Sequence, residues 1–203
     1  MLKAGAQEPA TTKQRIVQAA LETLKTEGFA GASARAIAGR GGFNQALIFY
    51  HFGTLSDLLL AALDETSASR LTRYKEALAG GGSIAERLEI ARRLYSEDLA
   101  SGHITVVSEM IAGSLNRPDL GPEIVARMEP WVELAEDALR GALKGTGVEA
   151  LVPVRTAAFA VVALYLGMDL LAHLEADRSR AEAVFDAGLR VASAIAPLLE
   201  PKP

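Results

Sequence analysis

Two adjacent side-chain amides, those of Asn44 and Gln45, stand at the predicted start of a short helix that follows a glycine break. An amide of this kind can form two hydrogen bonds with the edge of an adenine in the major groove of DNA. In a helix-turn-helix, the residues that read bases lie at the start of the second helix. The pair therefore indicates a DNA-reading helix, and a helical hairpin with an ordinary polar surface is the alternative.

Two short helices joined by a glycine turn would position these amides. The sequence predicts helices over 33–40 and 45–51, with Ser33 and Asn44 as caps. Between them, Gly42 is free to adopt the positive φ that such a turn needs. Apolar side chains on the two helices would hold them against a preceding helix; they are Ile37, Phe43, Ile48 and Phe52.

The composition predicts an all-α fold for the whole chain. Of 203 residues, 65 are Ala or Leu, which favour helices, and 21 are Val or Ile, which favour strands. Glycine and proline breaks divide the chain into about nine helices, three of them short and N-terminal. The predicted helices run from Thr11 or Thr12 to Glu27, over 33–40, 45–51 and 55–78, from Ser83 to Gly102, and over 104–115, 123–143 (with a kink or interruption at Pro130), 153–175 and 179–199.

The charge is divided unevenly along the chain. The formal net charge is −4, which by itself argues against a nucleic-acid partner. Up to Phe52, however, there are six basic and three acidic side chains, whereas from Gly53 onward there are 15 basic and 22 acidic ones. The chain thus has a small basic head on an acidic helical body.

Several other classes of protein are disfavoured by what the sequence lacks. Without cysteine there is no disulfide, thiolate zinc site or cysteine nucleophile, and the three histidines lie too far apart in the sequence to suggest a metal site. No phosphate-binding loop or nucleophile elbow is present, so we expect no enzyme and no cofactor. A helical interaction protein without DNA remains the other alternative. The longest apolar run, 157–168, is too short to span a membrane, and residues 1–10 do not form a signal peptide, so we expect a cytoplasmic protein.

From about Arg15 to Leu63 the sequence closely resembles the tetracycline-repressor (TetR) family of transcriptional regulators. The resemblance covers about a quarter of the chain. It rests on Ile16, Ala19-Ala20, Gly28-Phe29, Ser33, Ile37-Ala38, Gly42, Tyr50-His51-Phe52 and Leu58-Leu59. It implies a helix-turn-helix domain over 11–54 and a ligand-binding and dimerisation domain over 55–203. Residues 1–10 are small and polar and include Pro9, which predicts a disordered tail.

The resemblance assigns DNA contacts to the head. Asn44, Gln45, Ala46 and Leu47 are the expected base readers, and Ser33, Tyr50, His51 and Thr54 the expected phosphate contacts, while Arg35 and Arg40 can contact either. Two positions depart from the family pattern. Phe49 stands where a Tyr is frequent, and Leu55 stands where a phosphate-binding Lys is common, so both departures put the backbone anchoring in question.

The resemblance also assigns roles to the acidic body. A small, apolar effector would lie in a pocket lined by Tyr95, His103, Val106, Met110, Trp131, Leu134, Tyr165, Met168 and Asp169. The last two helices would pair two copies of the chain through Ala158, Ala163, Gly167, Ala187, Val191, Ala194 and Ile195. The expected function is that of a repressor that binds a palindromic operator as a homodimer and is released by its effector.

Overall fold

The computed structural model describes residues 11–146, 150–174 and 179–199, and over these ranges the chain forms nine helices and no strand. The helices are α1 (Thr12–Gly31), α2 (Ala34–Gly41), α3 (Ala46–Phe52), α4 (Leu55–Leu78), α5 (Ile84–Ser101), α6 (His103–Ser114), α7 (Gly121–Leu143), α8 (Val154–Leu174) and α9 (Ser179–Leu199). The all-α prediction is confirmed. The predicted tail over 1–10 lies outside the described residues.

Hydroxyl side chains set the starts of four helices. Thr11, Ser33, Thr54 and Ser83 each accept a hydrogen bond from the backbone N–H three residues further on. These bonds satisfy donors that the first helical turn leaves without an intrahelical partner. The predicted cap at Ser33 is therefore confirmed, and the caps Thr11, Thr54 and Ser83 directly precede helices that the sequence predicts.

Two helix predictions need correction. Of the two alternatives predicted at Pro130, a kink or an interruption, the interruption is wrong, because α7 continues through this residue, with Ile124 and Val132 buried on either side of it. The helix also begins earlier than predicted, at Gly121, because Pro122 fits the first turn, where no backbone N–H is needed.

One hydrophobic cluster runs from the head into the body. Ile16, Ile37 and Ile48 of the first three helices share it with Leu58 of α4 and Met110 of α6, and all five are fully buried. The boundary predicted between residues 54 and 55 stays a prediction, and no gap in the packing marks it. The head therefore packs directly against α4 and α6.

The helical backbone of α1 is interrupted near its end, at Gly28, and the residue that follows contacts α6. Gly28 has a φ of 68°, a conformation that side-chain-bearing residues rarely adopt. Immediately after it, the backbone N–H of Phe29 donates a hydrogen bond to Oε2 of Glu109 at 2.7 Å. The Phe29 ring lies where a side chain at Gly113 would be, since a Cβ there would come within 2.3 Å of the ring. We call these four residues the α1–α6 junction.

Helix α8 carries more apolar surface than the single chain buries. The stretch Val154–Ala172 is long and apolar enough to cross a membrane by length and composition, and only 17% of it is buried in the single chain. Its exposed large side chains include Phe159, Leu164, Leu170 and Leu171, and α9 adds Val184 and Val191. These six residues define the α8–α9 face. The predicted contacts Ala163, Ala187, Val191 and Ala194 are also exposed, and Gly167 and Ile195 are half-buried.

Two residues of α8 do not have the surroundings expected of them. Ala158 is fully buried inside the protomer, so it packs in the chain's own core and not against a partner. Asp169 is only 1% exposed, and neither carboxylate oxygen has a hydrogen-bond partner among the described residues. Burial, and next the nearby charge of Asp98, raise the pKa of Asp169 to about 7.

This carboxyl group makes the stability of the fold depend on pH. Between about pH 4, where the unfolded chain releases the Asp169 proton, and about pH 7, the folded chain binds more protons, so its stability falls as pH rises. We expect Asp169→Asn to raise the free energy of unfolding at pH 8 by about 2–4 kcal/mol, and by less at pH 5. Urea denaturation at the two pH values measures this. The exposed Asp137→Asn is the control, and an equal gain at both pH values would contradict the assignment.

Candidate nucleic-acid interface and internal cavity

Helix α3 is presented outward by the turn before it and the glycine after it. Gly42 ends α2 in the left-handed conformation with φ 66°, and Gly53 ends α3 with φ 80°. Ile48 anchors the helix because its side chain is fully buried, whereas Tyr50 on the outer face is 81% exposed. The helix therefore offers one face to the core and one to a large partner.

The two candidate base-reading amides differ in what they can offer. Oδ1 of Asn44 accepts a hydrogen bond from the backbone N–H of Ala46 at 2.8 Å, so this side chain supports the start of α3 and its NH₂ group is left to donate. Gln45 makes no capping bond and is exposed, which leaves both its donor and its acceptor for a base. Ala46 is exposed beside them. Leu47 is half-buried against the head core, so little of it is left for a thymine methyl.

The candidate phosphate contacts lie around α3. Ser33 is exposed, and because its Oγ only accepts from the backbone N–H of Ala36, its own proton remains available. The hydroxyl of Thr54 donates to Oδ2 of Asp57 at 2.6 Å, so that side chain is already engaged. His51 is half-buried with its ring edge-on to Tyr50, at 5.0 Å between centroids. Arg35 is exposed and makes no ion pair with the described residues.

Arg40 serves a different purpose from the one predicted. Its guanidinium donates to Oγ1 of Thr23 at 3.1 Å, to Oγ1 of Thr26 at 2.7 Å and to Oε1 of Glu27 at 2.7 Å. All three acceptors lie on α1, so Arg40 fastens the end of α2 to that helix. It is a structural residue of the head and not a free DNA contact.

Sequence reasoning did not include Phe49 among the contact residues. Its side chain is 48% exposed on α3 next to Tyr50. An exposed apolar ring on a reading helix can meet a thymine methyl or a sugar. The signal that could have found it was its position, since the family pattern places a Tyr there.

The body contains an elongated, partly open cavity of about 220 Å³ between α4, α5, α6, α7 and α8. His103, Trp131, Leu134 and Tyr165 line it, as the sequence predicts. Further lining residues were not predicted, among them Tyr74, Arg87, Asp98, Val107, Met128 and Val161. Apolar side chains form most of the wall.

The other five predicted pocket residues do not line this cavity. Val106 and Met110 point into the core that α6 shares with the head. Tyr95 and Met168 belong to a cluster with Phe185, in which the Tyr95 ring lies 5.5 Å from the Phe185 ring. Asp169 is buried away from the cavity lining. Helical periodicity shows that such faces are buried but not what they are buried against.

A satisfied carboxylate forms part of the cavity wall. Asp98 is 2% exposed and pairs with Arg70, while its Oδ2 accepts hydrogen bonds from the hydroxyls of Tyr74 at 2.8 Å and Tyr165 at 2.7 Å. Burial and the adjacent carboxylate raise the pKa of both tyrosines, which therefore stay protonated. The negative charge of Asp98 is thus already compensated within the protein.

His103 contributes a neutral group to the same wall. Burial lowers the pKa of His103 to about 4, so the ring is uncharged at neutral pH. Its Nδ1 lies 3.0 Å from Oγ1 of Thr66, and its ring is 6.0 Å from that of Trp131. Among the described lining residues, this leaves Arg87 as the one cation.

Comparison with known proteins bears on both the outward face of α3 and the cavity of the body. The sequence model of the family described as "Bacterial regulatory proteins, tetR family" matches residues 16–62. The HTH-type transcriptional regulator UidR of Escherichia coli (strain K12) is 27% identical over 90% of this chain and 91% of its own length. The HTH-type transcriptional repressor Rv3405c of Mycobacterium tuberculosis is 35% identical over 43% of this chain and 46% of its own length. Among solved structures, the multidrug binding protein EbrR complexed with imidazole is 26% identical, with a TM-score of 0.62 over 89% of this chain and 96% of EbrR.

The two arginines of α2 give a paired test of the interface. We expect Arg40→Ala to lower the free energy of unfolding by about 1–2 kcal/mol, because three hydrogen bonds to α1 are lost. Arg35→Ala is expected to leave stability within about 0.5 kcal/mol and to weaken DNA binding. Urea denaturation and fluorescence anisotropy with duplex DNA measure the two effects. Equal destabilisation by both substitutions would contradict the assignment.

Proposed function

Because residues 16–62 match the TetR family of helix-turn-helix transcriptional regulators, we propose that this chain acts as a repressor of that family that binds a palindromic operator as a homodimer. A small molecule that enters the cavity of the body then releases the DNA. The observation that carries the proposal is the outward face of α3, where exposed polar and aromatic side chains stand on a helix anchored by the buried Ile48.

Sequence recognition falls to the start of α3. The amides of Gln45 and Asn44 supply hydrogen-bonding groups of the kind that read base edges, and Phe49 adds an apolar contact. Ser33, Arg35 and Tyr50 supply phosphate contacts, which hold the helix in register without reading the sequence. The proposal of repression draws support from the relative Rv3405c, which is a transcriptional repressor by name.

Dimerisation through the α8–α9 face completes the proposal. Large apolar side chains such as Phe159 and Leu171 are more than half exposed on the single chain, and Val191 extends the face onto α9. An apolar area of this kind on a DNA-binding protein is covered most simply by a second copy. The two recognition helices can then reach successive major grooves, and the apolar α8 needs no membrane, which is consistent with a place in the cytoplasm.

The effector shifts the equilibrium between an arrangement of the protein that binds DNA and one that does not. A ligand changes the DNA affinity only if it binds the DNA-incompetent arrangement more tightly than the competent one. Helix α4 links the cavity to the head, since Tyr74 lines the cavity near one end of the helix and Leu58 is buried in the head core near the other. The similarity to EbrR, a multidrug binding protein whose solved structure holds imidazole, supports an effector role for the cavity.

Selection from random duplex DNA should yield a palindromic site, and two substitutions then separate base reading from backbone anchoring. Gln45→Ala should cost about 1–3 kcal/mol at one base pair of each half-site and relax the preference there. Tyr50→Phe should weaken all sequences equally, by about 0.5–1.5 kcal/mol, because only a phosphate contact is lost. Gel-shift titrations against the selected site and its single-base variants measure both. Recovery of no preferred sequence at low salt would refute the regulatory proposal.

The dimer is tested by placing a charge on its proposed face. Val191→Asp should weaken self-association roughly a hundredfold, since two carboxylates would be buried across the two-fold axis, and operator binding should fall with it. Val125→Asp is the matched control, because Val125 is 68% exposed on α7, away from this face. Analytical ultracentrifugation measures the oligomeric state, and a Val191→Asp protein that remains dimeric would place the interface elsewhere.

A further inference from the structure

The cavity of the body is long and narrow. Its lining on α5 extends from Ile84 to Asp98, and its lining on α7 from Met128 to Ala142, which are fourteen residues apart in both cases. At a rise of about 1.5 Å per residue, each stretch spans about 20 Å. A volume of about 220 Å³ spread over such a length leaves a channel suited to a single extended chain.

The charge in this channel sits at one end. Arg87 lies near the start of α5, between Ile84 and Leu88 in the lining and across from the end of α7. Its Nε donates to the backbone carbonyl of Gly82 at 3.1 Å, which fixes the root of the guanidinium. The missing side chain of Gly141 makes room for the rest, since a Cβ there would come within 2.9 Å of Nη2 of Arg87.

The guanidinium of Arg87 forms no ion pair with a carboxylate of the described residues. Its sequence neighbour Glu86 is bound to the backbone and hydroxyl of Ser83 instead. At the other end of the channel, Asp98 is compensated by Arg70. Within the described lining, the channel therefore combines apolar walls with one cation that forms no ion pair, whose nearest recorded charge interaction is with Glu86, and it holds no free negative charge to attract a cation.

From this arrangement we propose that the cavity binds an anionic amphiphile with a single aliphatic chain, of the medium-chain fatty acid type. The carboxylate pairs with the fork of donors on Arg87, and the chain extends between the apolar faces of α5 and α7. The distance from Arg87 to Asp98 along α5 is about 16 Å at the helical rise. Because C–C bonds of about 1.5 Å zigzag, an extended chain advances about 1.3 Å per bond, so roughly twelve carbons span about 14 Å and occupy most of that length. This proposal rests on the proposed function, since it names the effector class of the same cavity.

Trp131 gives a direct signal for binding. It is the one tryptophan of the sequence and it lines the cavity, so a chain that enters should change its emission. The probes are dodecanoate, dodecanol and dodecyltrimethylammonium, each below its critical micelle concentration and in the absence of DNA. We expect dodecanoate to bind most tightly and the cationic probe to bind least. Hexanoate tests the chain-length requirement, and dodecyl sulfate tests whether the anion must be a carboxylate.

Three variants test whether Arg87 binds the carboxylate of the ligand. Arg87→Gln should weaken dodecanoate binding by about tenfold or more and leave dodecanol within about twofold. Arg87→Lys should retain part of the affinity, because it keeps the charge but loses the fork. Arg93→Gln, which removes an exposed charge on the same helix outside the cavity lining, should have no effect. Circular dichroism confirms that each variant is folded. Equal loss of dodecanol and dodecanoate in Arg87→Gln, or no dodecanoate binding by the wild type, would overturn the proposal.

A separate measurement distinguishes this proposal from the proposed function. Fluorescence anisotropy with labelled operator DNA reports release upon addition of dodecanoate. If dodecanoate binds through Arg87 but does not release the DNA, the ligand class holds and the regulatory role of the cavity fails. If another molecule releases the DNA while dodecanoate does not bind, the regulatory role holds and the ligand class fails.

Discussion

The α1–α6 junction is the contact on which the relation between head and body depends. Gly28 turns the backbone so that the N–H of Phe29 reaches the carboxylate of Glu109, and Gly113 leaves space for the ring. The same helix, α6, lines the cavity with Ile104 and contributes Met110 to the head core. Since closely packed interiors do not deform continuously, a displacement of α6 by a ligand must be accommodated where α6 meets α1.

The two buried carboxylates of the body, Asp98 and Asp169, differ in how the protein offsets the cost of burying them. Asp98 receives hydrogen bonds from two tyrosines and pairs with Arg70, so it adds a polar wall to the cavity without adding a free charge. Asp169 has no such donors among the described residues, and the protein reduces the cost of burying it by favouring the protonated form. The difference follows from the neighbours: Arg70 and Tyr74 lie on α4, which reaches α5, and they supply to Asp98 what Asp169 lacks.

Most of the fold could be predicted from local signals, because caps and breakers act within one turn. Ser33 and Ser83 bond to backbone groups three residues away, and Gly42 needs only its own torsion angles, so the sequence is sufficient at these points. The exposed amide of Gln45 also follows from its position in the motif. Arg40 could not be assigned in this way, because its acceptors lie 13 to 17 residues away on another helix.

The same limit applies to the cavity. His103 and Val106 are both apolar-face residues of α6, yet one lines the cavity and the other packs in the head core. A helical period separates buried from exposed positions but does not distinguish two buried sides that are less than a turn apart. Arg87 was missed for the converse reason, since an arginine near a helix start is ordinarily a surface residue, and only the tertiary contact with Gly141 directs it to the cavity.

The basic head offers fewer free charges than its composition suggests. Lys25 pairs with Glu22 and Arg40 with Glu27, which leaves Lys13, Arg15 and Arg35 of its described basic residues outside ion pairs. Leu55, where the family commonly has a phosphate-binding Lys, packs instead against the head core. Because each phosphate contact adds sequence-independent, salt-sensitive affinity, a head with few free cations binds random DNA weakly. In the proposed dimer, the base contacts of α3 and the pairing of two heads must then supply most of the operator affinity, so a ligand that alters the spacing between the heads removes the larger share of it.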